Sequence, residues 1–242
     1  MLHTADVHLG SDGFGDVEQQ AAHRQRHRRA LEAIVDRALA DRVDLVLIAG
    51  DLFDHNRVSD EIVALVRGEL NRLRQPVVIL PGNHDSLCAN AIYDRHDMSA
   101  GAGHVRVIRG ADGETIEWPD LDVVVWGRAM VGHTPEFRPL AHLPGRAPDR
   151  WCLAMAHGFF YDAGQRPERS SPIFAEEIRD SGWDYVALGH QHVRTDVSQG
   201  AVAAYYAGAP VVEWGGAEAQ GSVLLIDLSV EGGIRVESRP IS

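Results

Sequence analysis

The chain contains no lysine: all 23 of its basic residues are arginine. That excludes chemistry built on a lysine amine, such as the phosphate-cradling lysine of a P-loop or a Schiff-base nucleophile. Cysteine is nearly as scarce. Cys88 and Cys152 form no C-x-x-C pair, so a thiolate redox motif is excluded and both residues are expected to stay reduced. No apolar run approaches membrane-spanning length, and the opening Met1-Leu2-His3-Thr4-Ala5-Asp6 has neither the basic nor the apolar region of a signal peptide. The expectation is a soluble cytoplasmic protein with no membrane partner. Repeats, linkers and low-complexity tracts are also missing, so residues 1–242 read as one domain. The formal net charge of −12 argues against broad adhesion to nucleic acid and leaves room for a local basic groove.

Short apolar runs at Val43 to Ala49, Pro76 to Leu80, Asp122 to Trp126, Trp151 to Ala156 and Trp183 to Leu188, bounded by turn formers, predict strands covered on both faces. Leu31, Ile34, Val35, Ala38 and Leu39 recur at helical spacing. So do Ile62, Leu65, Val66, Leu70 and Leu73, behind a Ser59-Asp60-Glu61 start that supplies a cap and first-turn carboxylates. The alternation implies βαβ units in an α/β fold. Ser222 to Leu228 and Ile234 to Ser238 read as a closing strand pair around Glu231-Gly232-Gly233.

The residues at the strand ends carry the chemistry. The short opening run ends in Asp6-Val7-His8, the next in Gly50-Asp51, and the third in Pro81-Gly82-Asn83-His84-Asp85. Two later runs end in His157 and in Gly189-His190-Gln191-His192. Any one of these, taken alone, is a polar turn. Together, in an α/β sheet whose strand carboxyl ends share one edge, they deliver carboxylate, amide and imidazole groups to one place. Asp6, His8, Asp51, Asn83, His157, His190 and His192 form an oxygen and nitrogen donor set that suits Mn, Fe or Zn. Seven donors are too many for one tetrahedral ion and suit two ions sharing a bridging carboxylate.

These blocks, D-x-H, G-D, G-N-H-D, H and G-H-x-H in order, resemble the calcineurin-like metallophosphoesterase superfamily over residues 1 to about 214. HTADVHLGS, AGDLFDHNRVS, LPGNHDS and YYAGAP most resemble its SbcD-like DNA repair nucleases. The resemblance implies a four-layer α/β/β/α sandwich of two mixed sheets flanked by helices. It implies two divalent cations, with manganese the first choice over iron or zinc, one held by Asp6, His8, Asp51 and His192 and the other by Asp51, Asn83, His157 and His190. Asp51 bridges them. His84 faces the substrate as catalytic acid, oriented by Asp85, and hydroxide activated between the ions attacks phosphorus without a covalent enzyme intermediate. The implied activity is a phosphodiesterase on DNA, with a small-molecule phosphoesterase as the alternative.

The implied partners are DNA and a homodimer through helices at Ser59 to Arg74 and Leu87 to Met98. Only 28 residues follow Trp214, so the capping domain and the tether for an SbcC-type ATPase are expected to be missing. His55, Asn56 and Arg57 are candidate cleft residues, and Phe159, Phe160 and Tyr161 candidate base-stacking residues. Arg24, Arg26, Arg28 and Arg29 are read as a solvated helix face. His3, His23, His27, His96, His104, His133 and His142 belong to no motif and are read as structural or exposed.

Overall fold

The structure is a computed structural model, described here for residues 1–99, 103–212 and 221–241. In chain order its elements are β1 (Leu2–Thr4), α1 (Val17–Ala40), β2 (Val46–Ala49), α2 (Asp60–Leu70), β3 (Val77–Leu80), α3 (Ile92–Arg95), β4 (Val105–Val107), β5 (Glu114–Trp118), β6 (Val123–Gly127), β7 (Trp151–His157), β8 (Phe159–Tyr161), β9 (Pro172–Phe174), α4 (Ala175–Ser181), β10 (Tyr185–Gly189), β11 (Thr195–Asp196), β12 (Ala203–Tyr206), β13 (Ser222–Ser229) and β14 (Gly233–Pro240).

Two six-stranded sheets form, in the orders β14-β13-β1-β2-β3-β4 and β11-β12-β10-β7-β6-β5. Their centres are parallel: β1 through β4 in the first, and β6, β7, β10 and β12 in the second. Antiparallel strands close three of the four edges, β4 being the exception, and include the predicted C-terminal pair, in which Leu228 lies opposite Ile234.

The two-residue period of the strands assigns their side chains to layers. From β2 and β3, Val46, Ile48, Val77 and Ile79 pack outward against Leu31, Ile34 and Val35 of α1 and Val63, Val66 and Leu70 of α2. Their alternates, Leu47, Ala49, Val78 and Leu80, pack between the sheets against Val125, Leu153, Met155 and Ala187. Val124, Trp126, Ala154, Val186 and Leu188 face the other way, onto Ile178 of α4 and Trp183. Helix, sheet, sheet, helix is therefore the layer order, as expected, and each fully buried aliphatic side chain contributes about 1.5–3 kcal/mol to it.

Helix α1 starts at Val17 and takes in the arginines expected on a helix face, because Asp16 and Gln19 exchange side-chain-to-backbone hydrogen bonds of 2.9 and 2.8 Å in a capping box. Two local readings need correction. Ser59 sits at the start of α2, but its side chain makes no cap bond; its carbonyl accepts from Ile62 and Val63. Leu87 to Met98, read as a dimerisation helix, has a single helical turn at Ile92–Arg95. The Leu87 amide donates to Met130 O, and the Ile92 amide to Asn56 Oδ1, so the segment is tied to its neighbours rather than wound on itself. Among the described residues no helix is long and apolar enough to cross a membrane.

Candidate metal centre

The parallel strands β1, β2, β3, β7 and β10 all end at the same edge of the sandwich, and the loops leaving them meet there. Backbone bonds lock the first two loops together: Asp6 N to Gly50 O and His8 N to Asp51 O at 3.0 Å, then Leu9 N to Leu52 O and Asp54 N to Leu9 O at 3.0 Å. The lock imposes unusual backbone. Asp6, His8, Asp51 and His190 adopt φ of 56°, 51°, 52° and 100°, a region that costs a non-glycine residue roughly 1–3 kcal/mol and persists where the surroundings enforce it. Four expected ligands carrying such strain is a signature of a functional site that spacing alone does not reveal.

The glycines of the motifs make room. A Cβ on Gly50 would lie 2.0 Å from His157 Nδ1, and one on Gly82 would lie 2.2 Å from Asp51 Oδ1. Neither position tolerates a side chain without pushing a donor out of place.

The seven expected ligands converge. His8 Nε2 and His192 Nε2 lie 3.2 Å apart. Asn83 Oδ1 lies 2.8 Å from His190 Nδ1 and 3.0 Å from His157 Nε2. Asp51 Oδ2 lies 3.2 Å from His157 Nε2 and 3.9 Å from His8 Nε2, so this one oxygen sits between two groups of donors. Asp6, His8 and His192 form one cluster, and Asp51, His157 and His190 another. Neighbouring donors around an ion bonded at roughly 2.0–2.1 Å are separated by about 3.0–3.4 Å; three of these spacings fall in that range, the 2.8 Å one just below it, and the 3.9 Å from Asp51 Oδ2 to His8 Nε2 is wider.

The surroundings point the lone pairs inward. His157 Nδ1 donates to Ala49 O at 2.9 Å, leaving Nε2 for the site. The His190 amide donates to both Asp6 oxygens at 3.0 Å, and the His84 amide to Asp51 Oδ1 at 2.9 Å. Electrostatics ask for positive charge here. Burial opposes charge on His157, yet Asp51 and Asp6 outweigh it and push the imidazole up to about 9. Burial and the neighbouring His157 push His190 down to about 3. Asp51 is desolvated, but His157, His8 and His84 hold it well below the usual carboxylate range. A buried carboxylate whose oxygens face imidazole nitrogens is the chemistry of a divalent-cation site, and the residues fit one.

At the mouth stands His84, its side chain 41% exposed, with Nδ1 2.7 Å from Asp54 O. The carbonyl can only accept, so Nδ1 carries the hydrogen and Nε2 remains for chemistry. Asp85 does not orient this ring. Its buried carboxylate is occupied by Gly82 N at 2.7 Å, Phe53 N at 3.2 Å and Tyr93 Oη at 2.6 Å, so it fastens the Pro81–Ser86 turn instead. The residue missed was Asp54, which holds His84 through its carbonyl and reaches His8 Nδ1 with Oδ1 at 3.2 Å. Its place three residues after the bridging carboxylate was the available signal.

The other candidates separate. Asn56 spends its side chain on Ser86 O, Cys88 Sγ and the Ile92 amide, and is a loop clamp rather than a cleft residue. His55 Nδ1 accepts from the Arg57 amide, while Arg57 is exposed. Tyr161 is packed, its hydroxyl accepting from the Glu168 and Arg169 amides, so it stacks on no base. Phe160 packs on the α4 side of the second sheet. Phe159 does reach the site, edge-on to His190 at 4.2 Å between ring centroids, but Arg169 already covers one of its faces at 4.7 Å. Of the histidines set aside, His133 lies against His190 with ring centroids 5.3 Å apart, and His27 lines the cleft beside His8. Of the arginines on α1, Arg24 pairs with Asp12 and Arg28 with Glu32, as a solvated face does. Cys88 is exposed, Cys152 buried, and both are free. Trp214 lies outside the described residues.

Comparison with known proteins agrees with this geometry. The family model described as calcineurin-like phosphoesterase matches residues 1–194. The chain belongs to this family. Its donor cluster occupies the edge where the family motifs lie. Among curated relatives, the metallophosphoesterase YhaO of Bacillus subtilis (strain 168) is 26% identical over 235 residues, covering 86% of this chain and 52% of YhaO. The DNA double-strand break repair protein Mre11 of Aeropyrum pernix is 42% identical over 90 residues, covering 36% of this chain and 21% of Mre11. The chain thus spans about half the length of the first relative and about a fifth of the second. Among solved structures, TT1561 of Thermus thermophilus matches 100% of this chain and 98% of its own with a TM-score of 0.60 at 13% identity, which shows a shared fold.

Proposed function

We propose that the chain is a two-metal phosphodiesterase that cleaves DNA. The observation that carries this reading is the position of Asp51 Oδ2 between two donor groups, beneath an imidazole tied to a backbone carbonyl at the cleft mouth. Asp6, His8, Asp51 and His192 would hold one ion and Asp51, Asn83, His157 and His190 the other; the mixed oxygen and nitrogen set suits manganese, iron or zinc, with manganese the first choice by the family resemblance. When bound, such a pair supplies an activated water and neutralises phosphate oxygens. The protein's own part is positional. Asp51 and the backbone lock fix the separation of the two donor groups. His84 in its imidazolium form, with its Nδ1–H held by Asp54 O, would present its Nε2–H to the oxygen that departs from phosphorus and return to the neutral ring on giving it that proton, a contribution of about 10²–10⁴ in rate.

The cleft supports a polymeric substrate. It is a cavity of about 150 Å³ lined by His8, Ser11, His27, Asp54, His84 and His192 among others. Sites that enclose a small ligand run to about 300–1,000 Å³, and a shallow opening of this size beside His84 is in keeping with a substrate whose bulk stays outside. The local identity to Mre11 points the same way. The net charge of −12 favours the second reading, a phosphoesterase for cyclic nucleotides or nucleotide monoesters. Manganese-dependent nucleotide release from single-stranded DNA, measured beside hydrolysis of bis-p-nitrophenyl phosphate, p-nitrophenyl phosphate and cyclic nucleotides, separates the two. DNA cleavage is the expected result; turnover of small esters alone would overturn the nuclease reading.

A further inference from the structure

Beside the metal centre stands a wall that no motif contains, built from the loops around His133 and Arg169. It is tied down at several points: Ser171 N donates to Thr134 O at 2.9 Å, Phe159 N to Ser171 O at 3.1 Å, and Arg169 N to Tyr161 Oη at 2.9 Å. His133 Nδ1 lies 2.9 Å from Ser171 Oγ, and its ring lies against His190. The wall is therefore set in place before any substrate arrives.

Two polar groups project from it beside the second donor cluster. The Arg169 guanidinium lies over Phe159 at 4.7 Å, and Phe159 meets His190 at 4.2 Å, so the cation is stacked one ring away from an expected ligand. Arg169 is exposed, and among the described residues it has no carboxylate partner, although the chain carries 35 acidic side chains. Exposed Arg57, Arg106, Arg166 and Arg194 likewise lack one among the described residues; what sets Arg169 apart is its seat on the ring that meets His190. A guanidinium held by an aromatic face keeps its N–H fork free for a planar, bidentate acceptor such as a phosphate. With no lysine in the chain, arginine is also the only long side chain that can supply this charge.

We infer that Arg169, seated on Phe159, with His133 against the same His190 ring, binds the phosphate adjacent to the scissile one in an oligonucleotide. The inference rests on the phosphodiesterase reading and sharpens it to substrates that carry a neighbouring phosphate. Arg169 and His133 both stand against the second donor cluster, Arg169 through Phe159 and His133 directly on the His190 ring.

The test compares the dinucleotide TpT with pTpT and TpTp, each on the manganese-loaded enzyme. One of the phosphorylated forms is expected to exceed TpT in kcat/KM by about tenfold, mainly through KM, as one charge-assisted pair predicts. Arg169→Gln should bring that ratio close to one, Arg169→Lys should restore part of it, and His133→Gln should lower it by a smaller factor. Affinities for the same dinucleotides, measured in the slowly turning over His84→Ala protein, give a readout independent of catalysis and should show the same loss in the His84→Ala, Arg169→Gln double variant. A folded Arg169→Gln protein with an unchanged ratio in both measurements overturns the inference, as does a wild type indifferent to the added phosphate. If no phosphoester at all is hydrolysed while the binding preference persists, the catalytic reading fails and the phosphate site stands.

Discussion

The two sheets contribute unlike halves to the site. Loops of the first sheet bring Asp6, Asp51 and Asn83 with His8 and His84; those of the second bring His157, His190 and His192 and no carboxylate. The first half is braced by its own backbone, amide to carbonyl, from Asp6 to Asp54. The second borrows its orientation from the first, His157 through Ala49 O and His190 through the Asp6 carboxylate. The anionic half therefore sets the frame and the imidazole half completes it. Damage to the two should not be equivalent.

Substitutions test that asymmetry. The largest effect is expected for Asp51→Ala, which removes the oxygen between the donor groups; metal analysis should find both ions lost and turnover at background. An inactive Asp51→Ala protein with full metal content would break the comparison. His84→Ala should keep both ions and lose about 10²–10⁴ in kcat, because it deletes a proton donor rather than a ligand. His192→Ala should lower metal content by one ion per chain, since His192 belongs to only one cluster. Asp54→Ala should weaken metal binding or activity by about 10- to 100-fold, through the lost brace on His8.

Proton linkage sharpens the comparison in metal-free protein. His157 rises from an ordinary 6.5 to about 9 on folding, so its contribution is fully present below pH 6.5 and is lost as pH climbs through 9. Chelated protein should lose about 3 kcal/mol across that window in denaturant titrations, whereas metal-loaded protein, in which the ion replaces the proton, should not. Tyr93→Phe should have the smallest effect. It strips the 2.6 Å hydroxyl bond from buried Asp85, costing about 1–3 kcal/mol of stability with metal content unchanged.

Much of the frame was legible in the sequence because strand ends in an α/β fold share an edge. Five apolar runs ending in ligand chemistry could only project it to one side. The features that were not legible depended on loops meeting across long sequence separations. Asp85 looked like the partner of His84 because it is adjacent in sequence, yet its carboxylate is taken by Gly82, Phe53 and Tyr93, while a backbone carbonyl 30 residues back holds the ring. Asn56 and Tyr161 looked available because they follow motifs, but each satisfies backbone groups of a neighbouring loop. His133 sits in a loop between β6 and β7 with no recurring pattern around it; its bond to Ser171 Oγ and the Ser171 amide's bond to Thr134 O bring it to His190. Positive φ at Asp6, His8, Asp51 and His190 has no sequence mark when the residue is not glycine.

The most direct test is a crystal structure of manganese-soaked protein with anomalous diffraction recorded for the metal. Two anomalous peaks per chain, about 3.5–4 Å apart on either side of Asp51 Oδ2, are the predicted result. A single peak, or peaks away from Asp51, would contradict the paired centre.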